Sequence, residues 1–129
     1  MRNAVFSLLS TDTALSDLGV KKVYASPALD TPPEEIFVVL SWQEVNAEFK
    51  DVGTQNLTVW VHNRQPDYRV INRIVARIKL LMISTFHRAG TDGVFVQAQW
   101  TGEGPDVWDD GFRTYVKTSG YRCNGKSST

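Results

Sequence analysis

The sequence predicts an α+β fold, a two-layer sandwich of one antiparallel or mixed β-sheet with helices packed on one face. The expected element order is α-β-β-β-α-β-β. Three observations predict it. Apolar residues repeat at helical spacing in two segments, one near the N-terminus and one at mid-chain. Other stretches, rich in β-branched and aromatic residues, alternate or run apolar as strands do. Short turns join consecutive strands, which favours antiparallel pairing and leaves one sheet face for the helices.

Residues 2–18 read as helical, with Val5, Leu8 and Leu9 on one face and Leu15 and Leu18 continuing it. Ser10-Thr11-Asp12-Thr13 interrupts that face with natural N-cap residues, so a break or a second short helix is expected there. Gly19 suits the C-terminal stop. Lys22–Ala25 reads as a short strand before the loop Ser26–Glu35, where Pro27, Pro32 and Pro33 forbid helix. Ile36–Trp42 reads as a nearly continuous apolar run, the mark of a central strand buried on both faces, and a polar turn region follows from Glu44 to Gly53. Asn56–Asn63 alternates, with Leu57, Val59 and Val61 on one side and Thr58, Trp60 and His62 on the other.

Pro66 suits the first position of a long helix running to Phe86 or His87, and Asp67 complements its dipole. Ile71, Ile74, Val75, Ile78, Leu81 and Met82 fall within one arc of about 120°, the core face. Gly90-Thr91-Asp92-Gly93 closes the segment as a loop. Val94–Trp100 alternates as a strand, Thr101–Gly111 is a glycine-rich acidic loop, and Phe112–Lys117 alternates again towards Cys123. Asn124–Thr129 reads as a flexible polar tail. Residues 1–129 make one domain, with no repeat, linker or low-complexity tract.

Composition narrows the function classes. The 129 residues carry 14 Lys and Arg against 14 Asp and Glu, so zero net charge argues against a bulk polyanion binder. One cysteine, Cys123, excludes an internal disulfide framework and any multi-cysteine metal site. No stretch approaches the roughly 18 apolar residues of a membrane span and no secretory leader is evident, so a soluble, intracellular-type chain is expected. His62 and His87 lie outside metal-ligand spacings, and Cys123 has no paired histidine motif. There is no phosphate-binding loop or dinucleotide fingerprint. Neither a catalytic residue, nor a metal site, nor a cofactor is expected.

Three features remain. Arg69, Arg73 and Arg77 recur every four residues on the helix side away from the core arc. Such a stripe is either a solvated face or a site for phosphates or carboxylates. No aromatic residue is interleaved with it, which favours a carboxylate-bearing protein over nucleic acid. Two acidic stretches offer carboxylates: Glu44, Glu48 and Asp51 in one turn, and Glu103, Asp106, Asp109 and Asp110 in the other, the latter without a balancing base. They are solvated loops or, around a channel, a negative lining that lets DNA slide. Ala76, Leu80 and Ile83 form an apolar ridge off the core arc, and Trp108 stands in an acidic loop. Exposed apolar rows of this kind mark buried contacts between subunits, and a loop tryptophan either folds back on its own domain or anchors into a neighbour.

The succession "DTALSDLG", "KVYAS", "PALDTPPEEIFVVLSW", "QNLTVWVHNR" and "PDYRVINRIVARI" spans most of the chain. In pattern and element order it resembles the tail terminator, or tail-completion, proteins of long-tailed bacteriophages. That resemblance implies a virion structural protein without catalysis, at the head-proximal end of the tail and in the host cytoplasm during assembly. It implies a six-fold ring that stops tail-tube growth and presents the surface for head–tail joining. The implied partners are other copies of the chain, the tail tube protein and the head–tail connector protein, with DNA only as passing cargo and no membrane. The subunit or partner interface is expected at Arg69, Arg73, Arg77, Leu80, Ile83 and Trp108, with one patch meeting a different patch on the neighbour. Another connector or stopper of the neck, or a small nucleic-acid-binding module, is the alternative.

Overall fold

Asp12 divides the N-terminal helical segment as its residue type suggests. The computed structural model describes residues 1–27, 30–49 and 52–127, with the backbone alone for residues 45–49, 52 and 127. Helix α1 spans Arg2–Ser10 and α2 spans Thr13–Asp17. The Asp12 carboxylate accepts the Leu15 amide at 3.0 Å, satisfying one free N–H of α2. Gly19 follows α2 at φ +103°, a conformation that strains L side chains and that lets the Val20 amide reach back to the Leu15 carbonyl.

The strands are β1 (Lys22–Tyr24), β2 (Ile36–Phe49), β3 (Val52–Asn63), β4 (Arg88–Gly90), β5 (Gly93–Glu103), β6 (Val107–Asp109) and β7 (Thr114–Ser127), with helix α3 (Tyr68–Ser84) between β3 and β4. They form one mixed sheet in the order β1-β2-β3-β7-β5-β4, with β6 also on β7. Among the described residues only β1 pairs in parallel, with β2; the other pairings are antiparallel.

Several elements exceed what alternation suggests. Within the expected turn region Glu44 to Gly53, residues 44–49 and 52–53 are strand backbone, because β3 is held on both sides, by β2 and by β7 from Val52↔Lys126 onward, while residues 50 and 51 lie outside the described set. Ladder hydrogen bonds ignore side-chain polarity, so a polar strand forms wherever neighbours supply partners. The same reason overturns the flexible tail: within 124–127, β7 pairs with both β3 and β5. Residues 128 and 129 lie outside the described set. The Gly90–Gly93 loop is the turn of a β4–β5 hairpin, and β6 interrupts the acidic loop. Pro66 precedes α3 rather than opening it, since Asp67 is the N-cap and its Oδ1 accepts the Arg69 amide at 3.0 Å. The helix stops at Ser84, with Thr85 extended and His87 at φ +54°.

The inward face of α3 is the expected one. Ile71, Ile74, Val75, Ile78 and Met82 are buried and Leu81 packs at the margin. They meet Val38, Leu40, Leu57, Val59, Val61, Phe95 and Tyr121 of the sheet. Burying one such aliphatic side chain contributes about 1.5–3 kcal/mol. Helix α1 touches β1 as well as β4 and β5, the opposite edges of the sheet. The sheet therefore curls around the helices, and α1 lies across the gap between its edges. Close approach there requires Gly90, where a Cβ would stand 2.6 Å from the Ala4 nitrogen.

The reverse side of the sheet carries a second aromatic cluster. Phe37 on β2 stacks on His62 of β3, with ring centres 4.5 Å apart, and Phe112 packs against both. Pro32, also buried, belongs to the proline-rich loop. The second half of that loop is fastened to the body: the Arg64 amide donates to the Glu35 carbonyl, and Tyr24 Oη donates to Glu34 Oε2 at 2.7 Å.

Candidate assembly surfaces

The outward face of α3 does not present three equivalent arginines. Arg77 donates through Nε and Nη2 to the two oxygens of Asp12, at 3.0 and 2.8 Å, tying α3 to the start of α2. The hydrogen bonds from Arg77 hold the Asp12 carboxyl below the usual carboxylate range. Arg69 Nε approaches Asp67 at 3.4 Å beside the N-cap. Arg73 is exposed and has no ionic partner among the described residues. One residue of the stripe thus serves the fold, one sits beside its own cap, and one is available to a partner.

The apolar ridge is present at the C-terminal end of α3. Leu80 is 53% exposed and Ile83 42%, and Phe86, just past the helix, is 59% exposed. Helical spacing explains the first two: they point away from an inward arc already filled by Ile78 and Met82. Phe86 joins them because the helix ends early, a boundary that periodicity does not mark. Beside the ridge, Trp100 of β5 is exposed under Lys79, whose Nζ lies 3.7 Å from the ring centroid.

Trp108 folds back on its own domain yet remains 49% exposed. It lies on β6 opposite Tyr115, with ring centres 4.9 Å apart. Tyr115 meets Tyr68 at the start of α3, and Tyr68 Oη donates to the Val107 carbonyl at 2.8 Å. The neighbouring acids are not without a base. Lys117 Nζ stands 3.6 Å from both Glu103 and Asp106, and donates to Asn72 Oδ1 at 3.0 Å. Lys117 sits in a regular alternating strand, so nothing in the sequence marks it as their counter-ion. Asp109 Oδ1 accepts the Phe112 amide at 3.0 Å, a turn bond, and Asp110 is exposed. In the other acidic stretch Glu44 is exposed, whereas the Glu48 side chain and Asp51 lie outside the described residues.

The reverse face of the sheet holds an open hollow of about 220 Å³, lined by Pro27, Val39, Ser41, Trp60, His62, Asp109 and Phe112. A serine, a histidine and an aspartate share it, but not as a nucleophilic set. His62 pairs with Phe37 in the ladder and Ser41 lies four residues further along β2, about 13 Å away at strand rise. That is far beyond the hydrogen-bond reach a nucleophile and its base require. His62 Nδ1 is 2.8 Å from Thr114 Oγ1. Burial pushes its pKa down to about 4, so the ring is neutral at pH 7. Cys123 is buried, and burial pushes its thiol up to about 12, an inert state. No group of three or more His, Cys, Asp or Glu could hold a metal ion among the described residues. Among them, too, no helix is long and apolar enough to cross a membrane.

One residue that the sequence does not single out organises this side. Arg64, just after β3, donates through Nε to the Glu34 carbonyl at 3.1 Å and through Nη1 to the Phe112 carbonyl at 2.9 Å. Its Nη2 donates to the Pro32 carbonyl. Its guanidinium also covers the Phe37 ring.

With this geometry in hand, the fold has a solved counterpart. It matches a chain of the structure described as "Virion of native gene transfer agent (GTA) particle" with a TM-score of 0.76. The match covers 98% of this chain and 95% of that chain at 12% sequence identity, which shows a shared fold. No family model matches the sequence, and no curated protein matches it.

Proposed function

We propose that this chain is a structural protein of a phage-like virion. In this reading it closes as a ring that caps the head-proximal end of the tail tube, stops its polymerisation and offers the surface for head–tail joining.

 The ring is six-fold in this reading, its partners are the tail tube protein and the head–tail connector, and DNA crosses it only as cargo. The observation that carries the proposal is the fold match, which covers 98% of this chain and 95% of a chain from a virion particle. The exposed apolar ridge at Leu80, Ile83 and Phe86 supports it, because a virion component has neighbours to cover such a surface. The acidic residues Asp109 and Asp110 would suit a channel that repels phosphates, with Glu44, Glu48, Asp51, Glu103 and Asp106 as further candidates for the lining.

The test is electron microscopy with mass determination on the purified chain, alone and mixed with its tube protein. Closed rings, or caps on tube ends, are the expected result; a strict monomer that ignores the tube would remove the proposal. A connector or stopper of the neck is the second reading, since the matched particle is a whole virion. It calls for binding to the connector and none to the tube. The nucleic-acid reading loses ground, because Arg77 and Arg69 are engaged with Asp12 and Asp67.

A further inference from the structure

We infer that the ring closes through two different patches at opposite ends of α3: the C-terminal ridge of Leu80, Ile83 and Phe86 with Lys79, docking on the Val107–Trp108 patch with Asp110 of the next copy. The inference rests on the ring reading above and names the surfaces that build it.

Both patches are apolar and exposed. Leu80, Ile83 and Phe86 form one, and Val107 and Trp108, 41% and 49% exposed, form the other. Trp108 stands against Tyr115, which meets Tyr68 at the first residue of α3, whereas Ile83 lies fifteen residues on. At 1.5 Å per residue, the patches are separated by roughly 23 Å along the helix. Two distinct patches that far apart on one molecule leave each copy able to hold two neighbours at once, the requirement of a head-to-tail ring.

Charge selects this pairing over like with like. Lys79 flanks the ridge, and its ammonium rests on Trp100 with no carboxylate partner among the described residues. Asp106 and Asp110 flank Trp108; Lys117 engages Asp106 and leaves Asp110 exposed and without an ionic partner among those residues. Joining ridge to ridge would set Lys79 against Lys79, and joining the Trp108 patches would set acid against acid. Ridge on Trp108 patch sets Lys79 against Asp110 and apolar surface against apolar surface. The tryptophan, already braced by Tyr115, is the rigid anchor such a contact favours.

The test uses two variants of the full chain, with assembly scored by mass and by microscopy in the presence and absence of tube protein. Leu80→Asp with Ile83→Asp removes the ridge; Trp108→Ala with Asp110→Lys removes its mate. Each variant alone is expected to stay monomeric, with circular dichroism and melting like the wild type. Mixed in equal amounts, they are expected to form a one-to-one dimer and stop there, since one intact ridge meets one intact Trp108 patch. Variants that still close rings, or a mixture that stays monomeric while the wild type assembles, would overturn the pairing and leave the ring reading standing. A wild type that assembles under neither condition removes both. Should Leu80→Asp with Ile83→Asp impair folding, Lys79→Glu is the second probe: it is expected to weaken assembly at least tenfold, with Asp110→Lys restoring it. Failure of that restoration also overturns the pairing.

Discussion

Arg64 shows how much one side chain can organise. Its guanidinium joins the carbonyls of Pro32, Glu34 and Phe112, from two segments that are distant in sequence. Arg64→Ala strands those acceptors and is expected to cost about 3 kcal/mol in denaturant unfolding. Arg64→Lys should recover little of it, because an ammonium lacks the planar fork. His62 gives the second residue-scale expectation. Its folded pKa of about 4 lies below the ordinary 6.5. Between those values only the unfolded chain takes up the proton, so stability is lost as pH falls through that window, by about 3 kcal/mol in total. Stability measured from pH 7 to pH 4 should fall less steeply in His62→Gln; equal slopes would reject the linkage. Cys123 was legible as a passive thiol, and the Asp12 cap was legible from residue type. Arg64 and Lys117 were not, since their partners are carbonyls and acids brought near only by the fold.

At the scale of elements, periodicity found the core and missed the edges. The inward face of α3 and the alternation of β3 followed from side-chain pattern, because burial selects apolar residues at fixed spacing. The outer part of β2, the end of β7 and the short strands β4 and β6 carry little such pattern; neighbouring backbone holds them. Deleting residues 124–129 should therefore lower the melting temperature by several degrees rather than leave it unchanged, because it strips the ladder from both β3 and β5. Gly90→Val is expected to cost about 2–3 kcal/mol, since its side chain would press α1 off β4 at Ala4. An unchanged unfolding midpoint would show that α1 yields freely. The arginine stripe follows from spacing alone, whereas the capture of Arg77 by Asp12 does not, because Asp12 lies far off in sequence and meets it only in the fold.

For the whole molecule, a curled sheet with α1 across its edges leaves exposed apolar surface near both ends of α3, on the helix at one end and on β6 at the other. The proposal at stake is that this chain ends tube growth. The most direct measurement is tube length in a polymerisation of purified tail tube protein, with this chain added well below the concentration of tube subunits. The expected result is that growth stops early, with a ring of density on the tube ends. Tubes that grow to the same length at the same rate, with bare ends, would contradict it.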